Sequence, residues 1–591
     1  MDRMDTVIQV LDSTALAHPQ RPALRHKRSN GWATLSWADY RARVLLAGRA
    51  LMQLGVERGS CVVILGNNRP EWFIANLGTI AAGGLPSGIY TTSTAEQCSY
   101  ITQHSDAVVA FVEQPGQIAQ LESVRGQLSA IVVMEGASDE AGVLDWEGFL
   151  ALGTEVTQES LDERIEGLNW DDPCTLIYTS GTTGEPKGVM LSHHNLLWVA
   201  RAMVREYSVT EEDSGLSYLP LSHIAEQVIS IYLPLLVGGC MSFAQSLETL
   251  GDDLREVRPT FFFGVPRVWE KIQARMEAAG AKSAPLRRRL VRWARGVGLT
   301  GGRAQQRGEP LPAGWWLARR LVFSKVRDRL GFDRTRVFFT SAAPMARSTL
   351  DFFLSLGIPI FEVYGMSECT GPTTFSAADR YRTGSAGWAI PGTELKIAND
   401  GEILYRGPHV FIGYYKNPEA TEEAVDDEGW LHSGDIGILD EEGFLYVTDR
   451  KKELIITSGG KNVAPVPLEL KIKGIPGVAQ AVVVGDRRKF LAALIALDPE
   501  AIESLASEIG SDAADLPSAA RCERIRTYFK DRIDAVNVTL APYESIRRFA
   551  VLSEGLSVEN GTLTPTLKLK RRVIQDAFSA TIDELYSSDS S

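Results

Sequence analysis

Residues 179–188 have the side chains and backbone types needed to hold a polyphosphate. Their sequence, TSGTTGEPKG, consists almost entirely of small, hydroxylated and turn-forming residues, and it includes one basic residue, Lys187. A backbone of this kind can turn several N–H groups toward an anion, and the lysine adds a positive charge. An exposed surface loop rich in Gly and Thr is the alternative interpretation. The candidate nucleotide-binding residues of this loop are Thr179, Ser180, Gly181, Thr182, Thr183 and Lys187.

The neighbours of Lys187 distinguish this loop from the P-loop of nucleotide triphosphatases. In GxxxxGK[ST] the lysine follows a glycine and precedes a metal-binding hydroxyl. Here Lys187 follows Pro186 and precedes Gly188, so neither neighbour has the required type. A short apolar, β-prone run at 175–178 leads into the loop, which predicts a strand followed by an anion-binding turn.

The sequence around the loop alternates between helix and strand patterns. Ser36 is the predicted N-cap of a helix with apolar residues at helical spacing, and residues 71–82 form a second predicted helix. Residues 61–65 and 107–112 are apolar runs of strand length. Alternation of this kind predicts an α/β fold with parallel sheets covered by helices.

The predicted elements become shorter near residue 449, with apolar strand patterns at 481–484 and 490–497. A chain of 591 residues also exceeds the usual size of a single core, so at least two domains are expected. We predict three parts: a large N-terminal domain at 1–448, a hinge at 449–453 and a smaller α+β C-terminal domain at 454–591.

Composition excludes several classes of function. The net charge of −13 disfavours a nucleic-acid partner, because phosphate backbones require clustered positive charge. The six cysteines form no CxxC pair, which argues against a zinc site or a disulfide framework and fits a reducing compartment. No uncharged run reaches the ~18 residues that span a bilayer. We expect a cytoplasmic protein, or one bound peripherally to a membrane.

Four further segments accompany the loop: YGMSE (364–368), GWLHSGD (429–435), DRKKELIITSGGKNVAP (449–465) and TPTLKLKR (564–571). With LIYTSGTTGEPKGV (176–189), they follow the order and approximate spacing of the adenylate-forming, AMP-binding superfamily, which the chain resembles over most of its length. Three intervening segments, YLPLSHIAEQ (218–227), GVPRVWEKI (264–272) and SAAPM (341–345), resemble long-chain fatty acyl-CoA synthetases. LIITSGGKNVAPVPLE is similar to the bubblegum-type and actinobacterial branches.

The resemblance implies roles at the adenine and the phosphates. Tyr364 and Gly365 resemble the adenine-facing pair, an aromatic ring and a glycine that permits close backbone approach. Glu368 resembles the carboxylate that binds Mg²⁺. Ser367 stands where the family often has Thr and keeps the hydroxyl, so we expect its contact to survive.

The resemblance also implies a ribose site and a hinge. Asp435 is expected to accept both ribose hydroxyls with Arg450 as its partner, although an interdomain salt bridge is the alternative for Arg450. Lys452 aligns with the residue about which the mobile C-terminal domain rotates between two half-reactions. Gly459 and Gly460 are expected to approach the pantetheine thiol after that rotation.

Lys568 resembles the catalytic lysine of the C-terminal domain. Three more basic residues follow at 570–572, so charge alone does not choose among them, and TPTLK departs from the PxxxxGK more common in the family. Thr183 and His223 are the other catalytic candidates. His223 resembles the residue beside the acyl carboxylate, and a buried structural histidine is the alternative.

The implied activity is that of an ATP-dependent long-chain fatty acid–CoA ligase that uses ATP, Mg²⁺ and coenzyme A. A fatty acyl-AMP ligase that loads a carrier protein is the second hypothesis. An inactive acyl or nucleotide sensor is the third, and it is disfavoured because every expected charged residue is present. These residues are Lys187, Glu368, Asp435, Arg450 and Lys568.

Two segments have less specific patterns. Residues 261–263 and Trp269 are apolar enough to line an alkyl tunnel, but such a cluster also fits ordinary core. Residues 286–295, LRRRLVRWAR, hold five arginines and no acid, as expected for a helix at an anionic membrane or for a solvated insertion. No residue pattern indicates an oligomeric state.

Overall fold

An eight-stranded sheet organises the N-terminal part of the chain. The computed structural model describes residues 4–29, 31–179, 185–459, 461–564 and 568–587. In sheet order the strands are Gly413–Tyr414, Lys187–Ser192, Pro173–Thr179, Leu85–Ile89, Cys61–Leu65, Ala107–Val112, Ala130–Val133 and Val143–Asp145. The last six strands run parallel to one another. Lys187–Ser192 pairs antiparallel with both of its neighbours, Gly413–Tyr414 and Pro173–Thr179. The predicted α/β fold is confirmed, and the predicted strand at 175–178 lies within Pro173–Thr179.

Smaller sheets surround this one. Two of the N-terminal sheets contain parallel pairs: Ser214–Ser217, Cys240–Phe243, Pro22–Arg28 and Gly31–Ser36 form one, and Phe261–Phe263, Val337–Thr340 and Phe361–Glu362 form the other. Two are antiparallel: Tyr364–Met366, Gly371–Phe375 and Trp388–Ala389, and then Glu394–Ile397, Glu402–Arg406, Leu431–Leu439 and Leu445–Arg450. The C-terminal sheets are Ile455–Ile456 with Asn462–Val463, and Val478–Val484, Leu491–Leu497 and Ile546–Val551.

Helices cover these sheets. In the first half of the chain they are Val7–Ala17, Trp37–Gln53, Pro70–Ala81, Ala95–His104, Trp146–Leu152, Gln158–Glu166, His193–Tyr207, Ile224–Gln227, Leu233–Val237, Leu250–Val257 and Pro266–Ala281. In the second half they are Pro285–Gln306, Trp315–Ala318, Ser324–Leu330, Arg347–Leu354, Pro418–Ala424, Pro465–Lys473, Ile502–Ile509, Leu516–Arg521, Glu523–Asn537, Arg571–Ala577 and Ser579–Ser587.

Local sequence signals account for several element boundaries. The Ser36 hydroxyl accepts a hydrogen bond from the backbone N–H of Asp39 and caps Trp37–Gln53, as predicted. Gly55, just beyond that helix, has a φ of +87°, which glycine adopts without strain. The helix predicted at 71–82 spans Pro70–Ala81, a shift of one residue.

Two main groups of buried apolar residues divide the chain. The largest extends from Val7 to Leu445, and a separate cluster starts at Ile455. The chain therefore has a large N-terminal and a smaller C-terminal domain, as in the fold predicted from its sequence. Phe262 and Trp269 are fully buried in a third cluster and are core residues of the N-terminal domain.

The basic segment at 286–295 is helical, as predicted, and forms the start of Pro285–Gln306. Arg287, Arg288 and Arg289 are exposed, whereas Arg295 donates a hydrogen bond to Ser355 at 3.0 Å. Among the described residues, no helix combines the length and apolarity needed to cross a bilayer.

Candidate active site

Asp435 and Arg450 are cross-strand partners in the antiparallel sheet that ends the N-terminal domain. Asp435 lies in Leu431–Leu439 and pairs in register with Arg450, the last residue of Leu445–Arg450. Arg450 Nε lies 3.2 Å from Asp435 Oδ1, and the Tyr364 hydroxyl donates to Asp435 Oδ2 at 2.8 Å. Burial raises the pKa of Asp435, and the nearby Arg450 charge opposes that shift. The carboxylate is thus held in one orientation from both sides.

Gly365 is required by packing within the protein. The strand Tyr364–Met366 pairs with Gly371–Phe375, and a Cβ on Gly365 would lie 1.7 Å from the carbonyl oxygen of Gly371. Any side chain there would push the two strands apart. Close approach of a ligand is therefore not needed to explain this glycine. Ser367, two residues on, is buried.

Glu368 is connected to the phosphate loop through a residue that the sequence did not single out. The Tyr414 hydroxyl donates to Glu368 Oε1 at 2.8 Å, and the Lys187 ammonium lies 4.7 Å from the centre of the Tyr414 ring. This arrangement arises because Gly413–Tyr414 pairs with Lys187–Ser192 at the sheet edge. No local signal marks Tyr414, since its position depends on that long-range pairing.

The loop itself is only partly described. Thr179 ends one strand and Lys187 begins the next, and the Thr179 hydroxyl donates to the Lys187 carbonyl at 3.5 Å. Thr179 and Lys187 are therefore cross-strand partners in two adjacent antiparallel strands. The remaining predicted ligands lie outside the described residues: Ser180, Gly181, Thr182 and Thr183.

Lys568 belongs to the C-terminal domain but lies at the same site. Its backbone N–H donates to the Thr564 hydroxyl at 3.0 Å. Its side chain interacts electrostatically with Asp435, Glu368 and Arg450. Burial is the main cause that lowers the pKa of Lys568, to about 8, and the charge of Arg450 adds to the effect.

Arg571 is distinguished from Lys568 by its partners. It forms ion pairs of 2.6 Å with both Glu453 and Glu469, and with Glu469 the contact is bidentate. Burial opposes its charge, but these two carboxylates raise the pKa of Arg571 well above its ordinary value. Arg571 therefore links its own helix to the turn Lys451–Glu453 and to the helix Pro465–Lys473.

His223 caps the short helix Ile224–Gln227. Its Nδ1 accepts a hydrogen bond from the Ala225 backbone N–H at 3.2 Å, so a neutral ring carries its proton on Nε2. Burial, with a contribution from the Lys568 charge, lowers the pKa of His223 to about 3. The ring is neutral at physiological pH and can donate a hydrogen bond from Nε2.

One turn along this helix, the buried Glu226 was not predicted from the sequence. It accepts hydrogen bonds from Ser217 at 2.6 Å and Ser230 at 2.7 Å, and burial raises its pKa to about 7. These contacts fix the helix that His223 caps. The partner Ser217 ends the strand Ser214–Ser217 and the partner Ser230 lies one turn further along the helical segment, so no local pattern identifies Glu226.

The remaining predicted residues lie at the start of the C-terminal domain. Lys452 is in the 3₁₀ turn Lys451–Glu453, and the neighbouring Lys451 forms an ion pair of 2.9 Å with Glu402. Gly459 is exposed in the turn after Ile455–Ile456, and a Cβ there would meet its nearest atom at 4.0 Å. Gly460 lies outside the described residues.

Comparisons with known proteins agree over the whole chain. The AMP-binding enzyme family matches residues 11–415, and the AMP-binding enzyme C-terminal domain matches residues 452–590. Long-chain-fatty-acid–CoA ligase ACSBG2 of Xenopus laevis is 41% identical over 618 residues, covering 98% of this chain and 84% of that protein. The human protein of that name is 38% identical over 598 residues, covering 96% and 90%.

A solved structure shares the fold. The anthranilate CoA ligase AuaEII in complex with anthranoyl-AMP superposes with a TM-score of 0.74 at 20% identity, covering 99% of each chain. The first family covers more than half of the chain, and both relatives exceed 30% identity over nearly all of it. The chain therefore belongs to the AMP-binding, adenylate-forming enzyme family, in its long-chain acyl-CoA synthetase branch.

Proposed function

We propose that this protein is an ATP-dependent long-chain fatty acid–CoA ligase. It forms acyl-AMP and pyrophosphate from a fatty acid and ATP, and then transfers the acyl group to CoA with release of AMP. Relatives that are named as long-chain-fatty-acid–CoA ligases match nearly the whole chain, which supports this substrate class. The observation that carries the proposal is the position of Lys568, from the C-terminal domain, beside Asp435 and Glu368 of the N-terminal domain.

The residues present fit the required Mg²⁺. Mg²⁺ is commonly held by one or two carboxylates together with substrate phosphates. Glu368 is 8% exposed and its Oε1 is held by Tyr414, which matches a single protein carboxylate that acts with the nucleotide. Among the described residues no cluster of three or more potential ligands forms a site by itself. When bound, Mg²⁺ neutralises charge on the phosphates.

The first half-reaction brings two anions together. A fatty carboxylate oxygen bonds to the α-phosphorus of ATP as the bond to pyrophosphate breaks, so negative charge must be neutralised at that phosphorus. We assign this role to Lys568, with Lys187 and Thr183 at the departing phosphates. We assign to His223 the donation of a hydrogen bond from Nε2 to an acyl carboxylate oxygen, and to Asp435 the acceptance of hydrogen bonds from the ribose hydroxyls.

The small C-terminal domain serves the two half-reactions in turn. We assign residues 1–448 to the N-terminal domain, 449–453 to the hinge and 454–591 to the mobile C-terminal domain. Rotation about Lys452 withdraws Lys568 and brings Gly459 and Gly460 toward the CoA thiol, which then attacks the acyl-adenylate. Gly459 has open space around its Cα, which favours close approach of a ligand.

The ability to use CoA separates this function from carrier-protein loading. Purified protein is given a chemically prepared long-chain acyl-AMP together with CoA, and acyl-CoA is measured by chromatography. Formation of acyl-CoA that requires the protein supports the ligase. Transfer of the acyl group to an acyl carrier protein but not to CoA, with release of AMP, would favour the fatty acyl-AMP ligase, and no turnover with either acceptor would favour a sensor.

We also propose that the enzyme is cytoplasmic and that it meets membranes peripherally through residues 286–295. The first turns of that helix expose three consecutive arginines, and Leu286 and Trp293 are 80% and 40% exposed beside them. Trp316 is 67% exposed and lies on the following short helix, Trp315–Ala318. Gly314, just before that helix, lies close to Trp293, since a Cβ added to Gly314 would be 3.1 Å from that ring. Basic and aromatic side chains together match an anionic lipid surface.

A further inference from the structure

The two domains are joined by ion pairs on the side of helix Pro266–Ala281. Lys473 Nζ, at the end of the C-terminal helix Pro465–Lys473, lies 2.8 Å from Glu270 Oε1, and each side chain is 14% exposed. One turn earlier on the same helix, Arg267 lies 3.4 Å from Asp498. None of these four residues takes part in the chemistry assigned above.

Glu270 and Lys473 are anchored in different domains. The neighbour of Glu270, Trp269, is fully buried and contacts the rings of Phe262 and Phe353 in the N-terminal core. The neighbour of Lys473, Ile472, is fully buried in the C-terminal core. The ion pair therefore joins two packed cores and not two flexible loops.

Lys568 moves with Lys473. The residue after Lys568, Leu569, packs on one face of the strands Val478–Val484 and Leu491–Leu497, and Ile472 packs against the other face of the same strands. A rigid-body rotation that carries Lys568 away from Asp435 therefore also moves Lys473 relative to Glu270, and it separates them when the axis lies away from this pair. The same rotation moves Asp498 relative to Arg267.

We propose that Glu270 and Lys473, assisted by Arg267 and Asp498, form a latch that holds the C-terminal domain in the adenylate-forming position. This inference rests on the two-step function proposed above. The four side chains are positioning residues, since they act on the chemistry through the placement of Lys568. At 14% exposure the Coulomb attraction is screened less than in full solvent, while the cost of removing both charges from water offsets much of that gain. The net contribution is therefore small enough for the pair to break during each cycle.

The latch predicts a selective defect. Removal of either partner raises the population of other domain positions, so less of the enzyme has Lys568 at the site. Adenylate formation should slow, while transfer from supplied acyl-AMP to CoA should be unchanged or faster. A residue needed only for folding would reduce both half-reactions together.

The test measures both half-reactions in Glu270→Ala, Lys473→Ala and the double variant. Single-turnover pyrophosphate release should fall about two- to fivefold in each single variant, the scale of losing one solvent-accessible ion pair. The double variant should be no slower than either single variant, because the two residues act as one interaction. Glu277→Ala is the matched control, since Glu277 lies on the same helix and accepts a hydrogen bond from Gln273 of that helix.

Thermal unfolding of each variant separates folding from positioning. Equal loss of both half-reactions at an unchanged midpoint, or a parental rate of pyrophosphate release in both single variants, would overturn the latch. If a variant is unstable, Glu270→Gln, which keeps a hydrogen-bond acceptor and loses the charge, provides the same comparison. Absence of pyrophosphate release by the parent protein would instead overturn the proposed function.

Discussion

Single charges at the site are balanced by neighbours from both domains. The Asp435 carboxylate lies between Arg450 and the Tyr364 hydroxyl, and Lys568 adds a second positive charge near it. Burial is the main cause that lowers the pKa of Lys568, and the Arg450 charge adds to it, while the carboxylates of Asp435, Glu368 and Glu453 oppose the shift. The phosphates of a bound nucleotide would add further negative charge beside Lys568 and Arg450, which favours the charged forms of both side chains.

Loss of Lys568 should affect one half-reaction. Lys568→Ala removes a positioned charge at the α-phosphate, so adenylate formation should slow by about 10² to 10³, the scale of losing one preorganised donor. Thioester formation from supplied acyl-AMP should persist. Both rates are measured in single-turnover experiments. A comparable fall in both rates by a folded variant would move the assignment to Lys570.

The same lysine predicts a pH dependence. Its pKa is lowered to about 8, so the free enzyme carries this charge below pH 8 and loses it as the pH rises further. The kcat/KM for adenylate formation should therefore fall tenfold per unit above about pH 8, because that parameter reports ionisation of the free enzyme. Lys568→Arg keeps its charge across this range. An identical fall in that variant would assign the ionisation to another group.

Sequence reasoning at the residue scale succeeded where partners are local to a sheet. Asp435 and Arg450 were expected to be partners, and they lie opposite each other in adjacent strands. Tyr414 was missed because its contact with Glu368 requires the pairing of distant strands. The choice between Lys568 and Arg571 also needed the structure, since only the positions of Glu453 and Glu469 show that Arg571 is already paired.

At the scale of elements, the turn Lys451–Glu453 joins the two domains. Lys451 ties its start to the N-terminal sheet through Glu402 and Asp400, while Glu453 ties its end to Arg571. Lys452 lies between these two anchors, which is where a change of backbone angle would turn one domain relative to the other. This arrangement supports the hinge proposal.

A proline at the hinge should separate the half-reactions in the opposite sense to the latch. Lys452→Pro fixes φ at the residue that must rotate and restricts Lys451 as well. Adenylate formation should continue, while transfer to CoA should collapse. Lys452→Ala is the control, because it removes the side chain and leaves φ free. Equal loss of both steps in the proline variant would place the hinge elsewhere.

Elements with their own periodic pattern were predicted from sequence, and those without one were not. Trp37–Gln53 and Cys61–Leu65 have clear apolar spacing and appear within a residue of expectation. The four-stranded antiparallel sheet that carries Asp435 was not predicted. Its strand Leu431–Leu439 contains two glycines and an aspartate, which lower β-propensity, and it is stabilised instead by pairing on both sides.

At the scale of the whole molecule, the surface around residues 286–295 should govern access to substrate. Replacing Arg287, Arg288 and Arg289 with Gln should weaken binding to anionic vesicles by about 3 kcal/mol at most, since each basic residue contributes about 1 kcal/mol. Activity on dispersed soluble substrate should barely change, and the deficit with vesicles should grow with acyl length.

Co-sedimentation with phosphatidylglycerol vesicles at low and high salt measures this binding. The matched control replaces three exposed arginines of the C-terminal domain, Arg521, Arg524 and Arg526, with Gln and so makes the same change in net charge. Equal binding by the parent and the 287–289 variant, or binding that is insensitive to salt, would leave this segment as an ordinary solvated helix.

The arrangement of the two domains could not be derived from sequence. Chain length and the shorter elements near residue 449 indicated at least two domains, and the order and spacing of five short motifs indicated the family. Their meeting at one site depends on contacts across the domain boundary, such as the pair Glu270–Lys473, and no periodicity encodes such contacts. The position of Lys568 beside Asp435 is therefore a property of the whole fold.

The proposed ligase activity is tested most directly by pyrophosphate release from ATP, measured across a panel of carboxylic acids with and without CoA. Long-chain fatty acids should stimulate release far more than short or aromatic acids. CoA should convert a single burst into continuous turnover with stoichiometric acyl-CoA and AMP. Release that is independent of the acid, or a burst that CoA does not convert into turnover, would contradict a long-chain fatty acid–CoA ligase.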